Sequence, residues 1–373
     1  MYTPSTAGAD LEAHNVGRTA LLDILSHRIT AAARDGSRPH TLLLAPRGGG
    51  KTHTLHLSMH RALAETQTAT RTLPVVIPED SLAIGSYADL LVEIARAIDP
   101  ELAGQARALR RLHDPVGIEA AVLHFAGERM ILLAVENLDR IFDAIGTAGQ
   151  GNLRAWVETS TAVLVFATAP QRFPGMASRE YPWYGSFSVE EIPGMGLSEA
   201  AELLGRAGDS MGAYLASAEG RERLSVLHRL LGGSPRTWLL LAHTADVSGI
   251  RALVPAVEGL LDRLAPDYQQ RLWQLPPGEQ RLVVELARGW EPRTVTDLAE
   301  AVGISNQSAS AALGRLAAQR WVVASKAPAG DRRTSWYDLT DPLLRYHLRY
   351  RDNTGLTEND IRAVTHASVT ALM

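Results

Sequence analysis

The chain has 373 residues, a formal net charge of −4 and no cysteine. This length is enough for two or three domains, and a content of 46% hydrophobic and 21% charged residues is typical of a globular protein. The lack of cysteine excludes disulfides, thiolate metal sites and thiol nucleophiles. The apolar runs are shorter than the roughly 20 residues that span a bilayer. Residues 1–5 do not resemble a secretory signal, so we expect a cytoplasmic protein.

The first half of the sequence alternates helical patterns with short apolar strands. Such alternation predicts a parallel sheet covered by helices on both faces, an α/β fold. The predicted strands are 41–44, 73–77, 130–135 and 162–167, with 187–189 as a candidate fifth. The predicted helices are 20–33, 51–64, 87–98, 115–125 and 153–159.

Helical periodicity alone continues from Leu197 to about Asp267. A third pattern then reads helix, helix, turn, helix and two short strands. Its helices at 295–302 and 306–319 flank a turn that contains Gly303, which is the helix-turn-helix pattern, and the two strands flank a predicted wing at 326–333. We therefore expect an α/β core at 1–195, a helical domain at 196–270, a winged helix-turn-helix at 271–353 and a C-terminal tail at 354–373.

The main chemical motif is the glycine-rich run from Ala45 to Thr52, which lies between a predicted strand and a predicted helix. This arrangement directs backbone N–H groups and the positive end of a helix dipole at a phosphate. Lys51 would reach the β- and γ-phosphates, and Thr52 would bind Mg²⁺. Ala45 replaces the usual first glycine of the motif. The predicted nucleotide contacts here are Pro46, Arg47, Gly48, Gly49, Gly50, Lys51, Thr52 and His53.

Lysine usage supports this interpretation. Of the 37 basic residues, only Lys51 and Lys326 are lysines. A lysine at the one position that needs a compact ammonium group therefore favours a phosphate site over a glycine-rich surface turn.

An acidic residue follows the predicted strand 130–135, where a second metal ligand is expected. Glu136 occupies that position. The alternative to a metal-binding role is that Glu136 only caps the strand. Asn137 stands where a catalytic glutamate is expected, but an amide cannot accept a proton from water. Two readings stay open: Asp139 replaces the missing base, or the protein binds ATP tightly and hydrolyses it slowly.

These motifs together resemble the AAA+/STAND group of P-loop ATPases. The resemblance is greatest to archaeal origin-recognition proteins and to archaeal-type ATPases that end in a winged helix. It implies a parallel-sheet P-loop NTPase core of the AAA+/ASCE type with a helical lid and a C-terminal winged-helix domain. It also implies ATP and Mg²⁺ as cofactors.

The resemblance assigns further roles residue by residue. Val16 and Arg18, in Asn15-Val16-Gly17-Arg18, match the segment that closes over adenine. Thr168 matches the polar residue of the sensor strand. Arg236, in Gly232-Gly233-Ser234-Pro235-Arg236, matches a second sensor in the lid, with an ordinary surface arginine as the alternative. Arg172 and Arg179 lie where an arginine finger could be found, but an ordinary surface role is the simpler reading.

The predicted winged helix lies in a basic part of the chain. Residues 305–351 contain eight Lys/Arg and three Asp/Glu, a local charge of +5 that leaves −9 on the remainder. A basic end on an acidic body favours a polyanionic partner. The predicted base contacts are Ser305, Asn306, Gln307 and Ser308, and the predicted phosphate or minor-groove contacts are Arg315, Arg332 and Arg333.

The leading hypothesis is an ATP-switched protein that associates with double-stranded DNA and assembles with a second copy or a partner protein. The alternative is a signalling or scaffold ATPase whose winged helix contacts protein. No membrane partner is expected, and no acceptor-substrate motif supports a metabolic kinase.

Overall fold

The computed structural model describes residues 8–81, 84–326, 335–351 and 356–362. The chain divides into two compact units, Met1–Gly194 and Met195–Met373. Across these described ranges, no helix is both long and apolar enough to cross a membrane.

The first unit is built on a five-stranded parallel sheet in the order β2-β3-β4-β1-β5. All five predicted strands are confirmed. The strands are β1 (Thr41–Leu44), β2 (Thr72–Ile77), β3 (Met130–Val135), β4 (Val163–Ala169) and β5 (Ser188–Glu191).

Helices connect the strands of this unit, as crossovers between parallel strands require. They are α1 (Gly8–Ala13), α2 (Thr19–Asp35), α3 (Lys51–Leu63), α4 (Thr66–Arg71), α5 (Tyr87–Ile98), α6 (Pro100–Arg111), α7 (Pro115–Ala126), α8 (Leu138–Ser160) and α9 (Pro174–Ala177). The pattern did not predict α1, α4, α6, α9 or the first half of α8. Helix α8 is kinked at Gly146, whose φ is 65°.

Alternate residues of the central strands pack into cores on opposite faces of the sheet, as the two-residue period of a strand requires. Leu42, Leu133 and Val165 belong to the core beneath α5 to α8. Leu43 and Phe166 belong to the opposite core, with residues of α2 and α3. Both faces are therefore covered, which confirms the predicted α/β class.

The two edge strands differ in composition from the central ones. Pro74 lies exposed within β2, which is one edge of the sheet. The opposite edge, β5, carries Glu190 and Glu191, and Arg28 forms an ion pair with Glu190.

The second unit begins with a group of helices. They are α10 (Leu197–Gly205), α11 (Asp209–Ala216), α12 (Ala218–Leu231), α13 (Pro235–Thr244), α14 (Val247–Ala252) and α15 (Val254–Trp273). The winged helix follows within the same unit and comprises α16 (Pro277–Arg288), β6 (Arg293–Thr294), α17 (Val295–Val302), α18 (Asn306–Ala318), β7 (Val322–Lys326), β8 (Ser335–Leu339) and α19 (Pro342–Arg351). The strands form an antiparallel sheet in the order β6-β8-β7.

Buried polar groups join the winged helix to α15. The Tyr268 hydroxyl donates a hydrogen bond to Asp341 Oδ2 at 2.8 Å, and burial raises the pKa of Asp341. Asp338 pairs with Arg345, and both side chains are buried. Removing one partner of such a pair is costly because the other is left buried and unpaired, so these contacts fix α19 against α15 and β8.

Candidate functional site

The glycine-rich loop follows β1 and opens α3 at Lys51. Gly50 has a φ of 87°, in the left-handed region that favours glycine. At Gly49, an added Cβ would lie 2.8 Å from Ala45 Cβ and 2.9 Å from the Pro46 carbonyl oxygen. The loop therefore needs glycine at both positions, which keeps the backbone N–H groups at the N-terminus of α3 accessible to an anion.

Lys51 is the first residue of α3, and its ammonium group lies over the loop. Nζ donates hydrogen bonds to the carbonyl oxygens of Ala45 at 2.9 Å and Pro46 at 3.2 Å. The cation is therefore held at the strand–helix junction, where a phosphate bound by the loop would meet it.

The next residue, Thr52, contacts the acidic residue that follows β3. Thr52 Oγ1 donates a hydrogen bond to Glu136 Oε2 at 2.7 Å. His56 Nε2 lies 3.2 Å from the other carboxylate oxygen, Oε1. The sequence analysis predicted that Thr52 and Glu136 act on the same ion, but it did not identify His56.

Strand order explains why these residues meet. Because β4 lies between β1 and β3, the carboxyl ends of all three strands open at one edge of the sheet. Val135 pairs with Ala167 in the register, so Glu136 follows β3 at the level of Thr168. The Thr168 hydroxyl accepts a hydrogen bond from the Asn137 N–H at 3.1 Å. Thr168 is 1% exposed, and it links β4 to the segment that follows β3.

Asn137 is the N-cap of α8 and has φ 52° and ψ 56°, in the left-handed region. Asparagine tolerates this conformation better than glutamate does, so the backbone supplies a local reason for the amide at this position. In the first turn of α8, Asp139 has one carboxylate oxygen, Oδ1, that is buried without a hydrogen-bond partner. Burial raises the pKa of Asp139, which is the direction expected of a candidate base. The catalytic roles of Asn137, Asp139 and Thr168 stay predictions.

The pair of Thr52 and Glu136 fits Mg²⁺. A hydroxyl and a carboxylate are hard oxygen ligands, and Mg²⁺ is commonly held by one or two carboxylates together with substrate phosphates. The two oxygens already lie 2.7 Å apart at the mouth of the phosphate loop, so these two residues would hold the ion.

The segment predicted to close over adenine lies against the loop. Arg18 Nη2 donates hydrogen bonds to the carbonyl oxygens of Gly49 at 3.0 Å and Pro193 at 2.9 Å. Val16 is buried. The His53 ring lies 2.8 Å from the Leu11 carbonyl oxygen, and burial lowers its pKa. Arg18 therefore bridges the loop and the end of the first unit.

Three other arginines named in the sequence analysis have local partners. Arg236 is in the first turn of α13, and its Nη1 lies 3.8 Å from Asp267 Oδ1 within the second unit. Arg172 lies 3.9 Å from Glu191, with both side chains well exposed. Arg179 stacks on the Tyr184 ring at 5.8 Å. The sensor role of Arg236 stays a prediction.

Helix α18 is the predicted recognition helix. Ser305, Asn306, Gln307 and Ser308 are all exposed, while Ala309 and Leu313 face the core. Ser305 caps the helix by accepting a hydrogen bond from the Ser308 N–H. Arg315 Nε donates to Glu279 Oε1 of α16 at 2.7 Å, although its side chain is 58% exposed. Arg332 and Arg333 lie outside the described residues.

Solved structures share this fold. The chain is similar to the Aeropyrum pernix ORC1 protein in complex with DNA, with 13% identity over 91% of this chain and 93% of that one and a TM-score of 0.52. It is similar to the ORC2 protein of the same organism in ADPNP–ADP complexes, with 12% identity over 90% and 95% and a TM-score of 0.59. No curated protein matches the chain.

The C-terminal region has an independent match. Residues 273–334 match the family model described as MarR family. Together with the sheet order, these likenesses show the fold: a parallel-sheet α/β core like that of the two Aeropyrum pernix proteins, followed by a winged helix. The predicted resemblance is thereby confirmed at the level of fold.

Proposed function

We propose that this protein is an ATP-binding switch of the AAA+ type that associates with double-stranded DNA through its winged helix. Its ATP hydrolysis is slow or stimulated by a partner, and it assembles with a second copy or another protein. The observation that carries the nucleotide part is the 2.7 Å contact between Thr52 and Glu136 beside the phosphate loop.

Each residue of the nucleotide site has a defined task. The loop N–H groups and Lys51 bind the phosphates, and Arg18 supports the loop from the side of the Gly49 carbonyl. Thr52 and Glu136 hold Mg²⁺, which when bound neutralises charge on the phosphate oxygens. Thr168 and Asn137 align the two strand ends through their hydrogen bond.

Slow hydrolysis follows from the acid–base groups available. Asn137 cannot take a proton from water. Asp139 is ionisable, but the structure gives its buried oxygen no orienting partner, and a general base works best when it is held in place. A partner or DNA that reorients Asp139 would accelerate hydrolysis.

Three features support association with DNA. They are the exposed polar residues at the N-terminus of α18, the match to the MarR family model and the net positive charge of residues 305–351. The Aeropyrum pernix ORC1 protein, which has this fold, is in complex with DNA.

One contact favours the alternative, a signalling or scaffold ATPase. Arg315 is committed to the buried Glu279, so a predicted phosphate contact is partly neutralised. A winged helix with less free positive charge is better suited to contact protein.

ATP binding and turnover test the nucleotide part. We expect Mg²⁺-dependent ATP binding by calorimetry, lost in Lys51→Ala and retained in Arg206→Ala. Arg206 is an exposed cation at the C-cap of α10 that pairs with Glu202. Single-turnover hydrolysis with and without duplex DNA then separates a working ATPase from a binding-only switch. Equal affinity for ATP in Lys51→Ala and wild type would refute the assigned site.

A mobility shift with duplex DNA at several salt concentrations tests the DNA part. DNA affinity should fall steeply with salt because phosphate contacts release counterions. The double variant Arg332→Ala, Arg333→Ala should lose affinity and reduce the salt slope, whereas Arg251→Ala, an exposed arginine of α14, should not. Nucleotide binding without any salt-dependent shift would select the scaffold alternative.

A further inference from the structure

The carboxylate of Glu136 is held at both oxygens. Thr52 Oγ1 lies 2.7 Å from Oε2, and His56 Nε2 lies 3.2 Å from Oε1. The imidazole is 8% exposed and the carboxylate 6%. The second contact is therefore a feature of the interior and not a surface ion pair.

Helix geometry places both donors on the same carboxylate. His56 follows Thr52 by four residues on α3, so the two side chains share one face of the helix. That face of α3 lies against Glu136, the residue that follows β3. A carboxylate oxygen accepts a hydrogen bond from this ring only in the tautomer that carries the hydrogen on Nε2, so the contact requires that tautomer.

A second tether has a physical use here. A glutamate has one more rotatable bond than an aspartate, so a single hydrogen bond from Thr52 leaves its carboxylate free to rotate. A contact from His56 to the other oxygen fixes the plane of the carboxylate. Groups that orient a ligating side chain in this way typically change metal affinity or activity by roughly 10- to 100-fold when they are removed.

We propose that His56 is a positioning residue that orients Glu136 for Mg²⁺ in the nucleotide site. This inference rests on the proposed nucleotide-binding function and assigns to that site a residue that the motif does not contain. His56 would act only through Glu136, so its contribution appears only when Mg²⁺ is bound with the nucleotide.

The test measures affinity for a non-hydrolysable ATP analogue by calorimetry, at a series of Mg²⁺ concentrations and in excess chelator. We expect His56→Ala to raise the Mg²⁺ concentration needed for half-maximal tight binding by about tenfold or more. Affinity in chelator should change less than twofold. His56→Gln, which can place an amide donor near the position of Nε2, should restore most of the Mg²⁺ dependence.

Matched controls separate positioning from packing. His60→Ala removes an exposed imidazole one turn further along α3 that lines the same cavity of about 500 Å³ as His56, and it should behave as wild type. If His56→Ala fails to fold, His56→Leu serves in its place, because it keeps the side-chain volume but removes the hydrogen-bond donor. His56→Leu should then need more Mg²⁺ for tight binding, whereas His56→Gln should bind nearly as the wild type does. The effects of His56→Ala and Glu136→Gln should not add, because the histidine acts through the glutamate.

The outcomes are distinct. In one outcome, Lys51→Ala loses analogue binding but His56→Ala and His56→Leu keep the Mg²⁺ dependence of the wild type. This result would overturn the role of His56 and leave the proposed nucleotide site intact. An equal loss with and without Mg²⁺ would also overturn it, because that pattern reports packing. If Lys51→Ala binds the analogue as wild type does, the proposed function fails and this inference fails with it.

Discussion

Replacing Gly50 by alanine tests how tightly the phosphate loop is built. Gly50 has a φ of 87°, and an added Cβ would lie 2.5 Å from Arg18 Nη1. The left-handed conformation costs a non-glycine residue about 1–2 kcal/mol. Relief of the contact requires movement of a guanidinium group that donates to the carbonyl oxygens of Gly49 and Pro193.

The two contributions can be separated within this chain. Gly36 has a φ of 78°, and a Cβ there would meet nothing within 4 Å, so Gly36→Ala measures the backbone term alone. Loss of the Arg18 hydrogen bonds should add about 1–2 kcal/mol to the cost of Gly50→Ala. In an Arg18→Ala background, that additional cost should disappear.

The assay is denaturant unfolding of five proteins, beside calorimetric measurement of ATP binding. The five are the wild type, Gly50→Ala, Gly36→Ala, Arg18→Ala and the double variant Arg18→Ala, Gly50→Ala. Gly50→Ala should lower the free energy of unfolding by about 2–4 kcal/mol and weaken ATP binding by about tenfold or more. Gly36→Ala should lose about 1–2 kcal/mol and bind ATP as wild type does. Equal destabilisation by the two alanines would refute the reasoning, since it would mean that Arg18 moves aside at no cost.

Three further predictions concern titratable groups. Burial lowers the pKa of His40 from 6.5 to about 4. The neutral ring therefore makes its full contribution to the free energy of unfolding above pH 6.5, and this contribution of roughly 3 kcal/mol is lost as the pH falls to about 4. The free energy of unfolding, measured with denaturant from pH 7.5 to 4, should depend less on pH in His40→Gln than in the wild type. An equal pH dependence in the two proteins would contradict this prediction. Asp139→Asn should abolish residual single-turnover hydrolysis while stabilising the first unit at neutral pH, because burial penalises the ionised form; unchanged hydrolysis would exclude Asp139 as the base. Glu279→Gln should release Arg315 and tighten DNA binding about two- to tenfold in a mobility shift, with a steeper salt slope; weaker binding would show that Glu279 orients Arg315 for DNA.

Local signals were sufficient for most of the sheet and for the position of the glycine-rich loop between β1 and α3. Strands such as Met130–Val135 are continuous apolar runs that end at polar residues, and glycine-rich loops carry their own geometry in the sequence. Helix α8 was predicted only in its second half because Gly146, Gly149 and Gly151 resemble a loop. Its apolar residues still follow helical spacing from Leu138 onward.

Tertiary contacts account for what the sequence did not reveal. The spacing of Thr52 and His56 was readable, but the partner that they share lies about 80 residues away. The bridge from Arg18 to Gly49 and Pro193 is equally non-local.

The charge count needed the structure for its interpretation. Arg345 is 2% exposed and pairs with Asp338, and because both residues lie within 305–351 they cancel and leave the +5 unchanged. Arg315 is different, since it pairs with a glutamate of α16 that lies outside the counted range. A sum over the sequence cannot separate buried or neutralised arginines from those that a polyanion can reach.

The edges of the five-stranded sheet affect how copies of this protein can meet. An exposed edge strand is a template for pairing with another chain, and proline or charge on that strand discourages such pairing. Here one edge carries Pro74 and the other carries Glu190 and Glu191. Both edges of the sheet therefore carry features that disfavour the addition of a strand from a second copy.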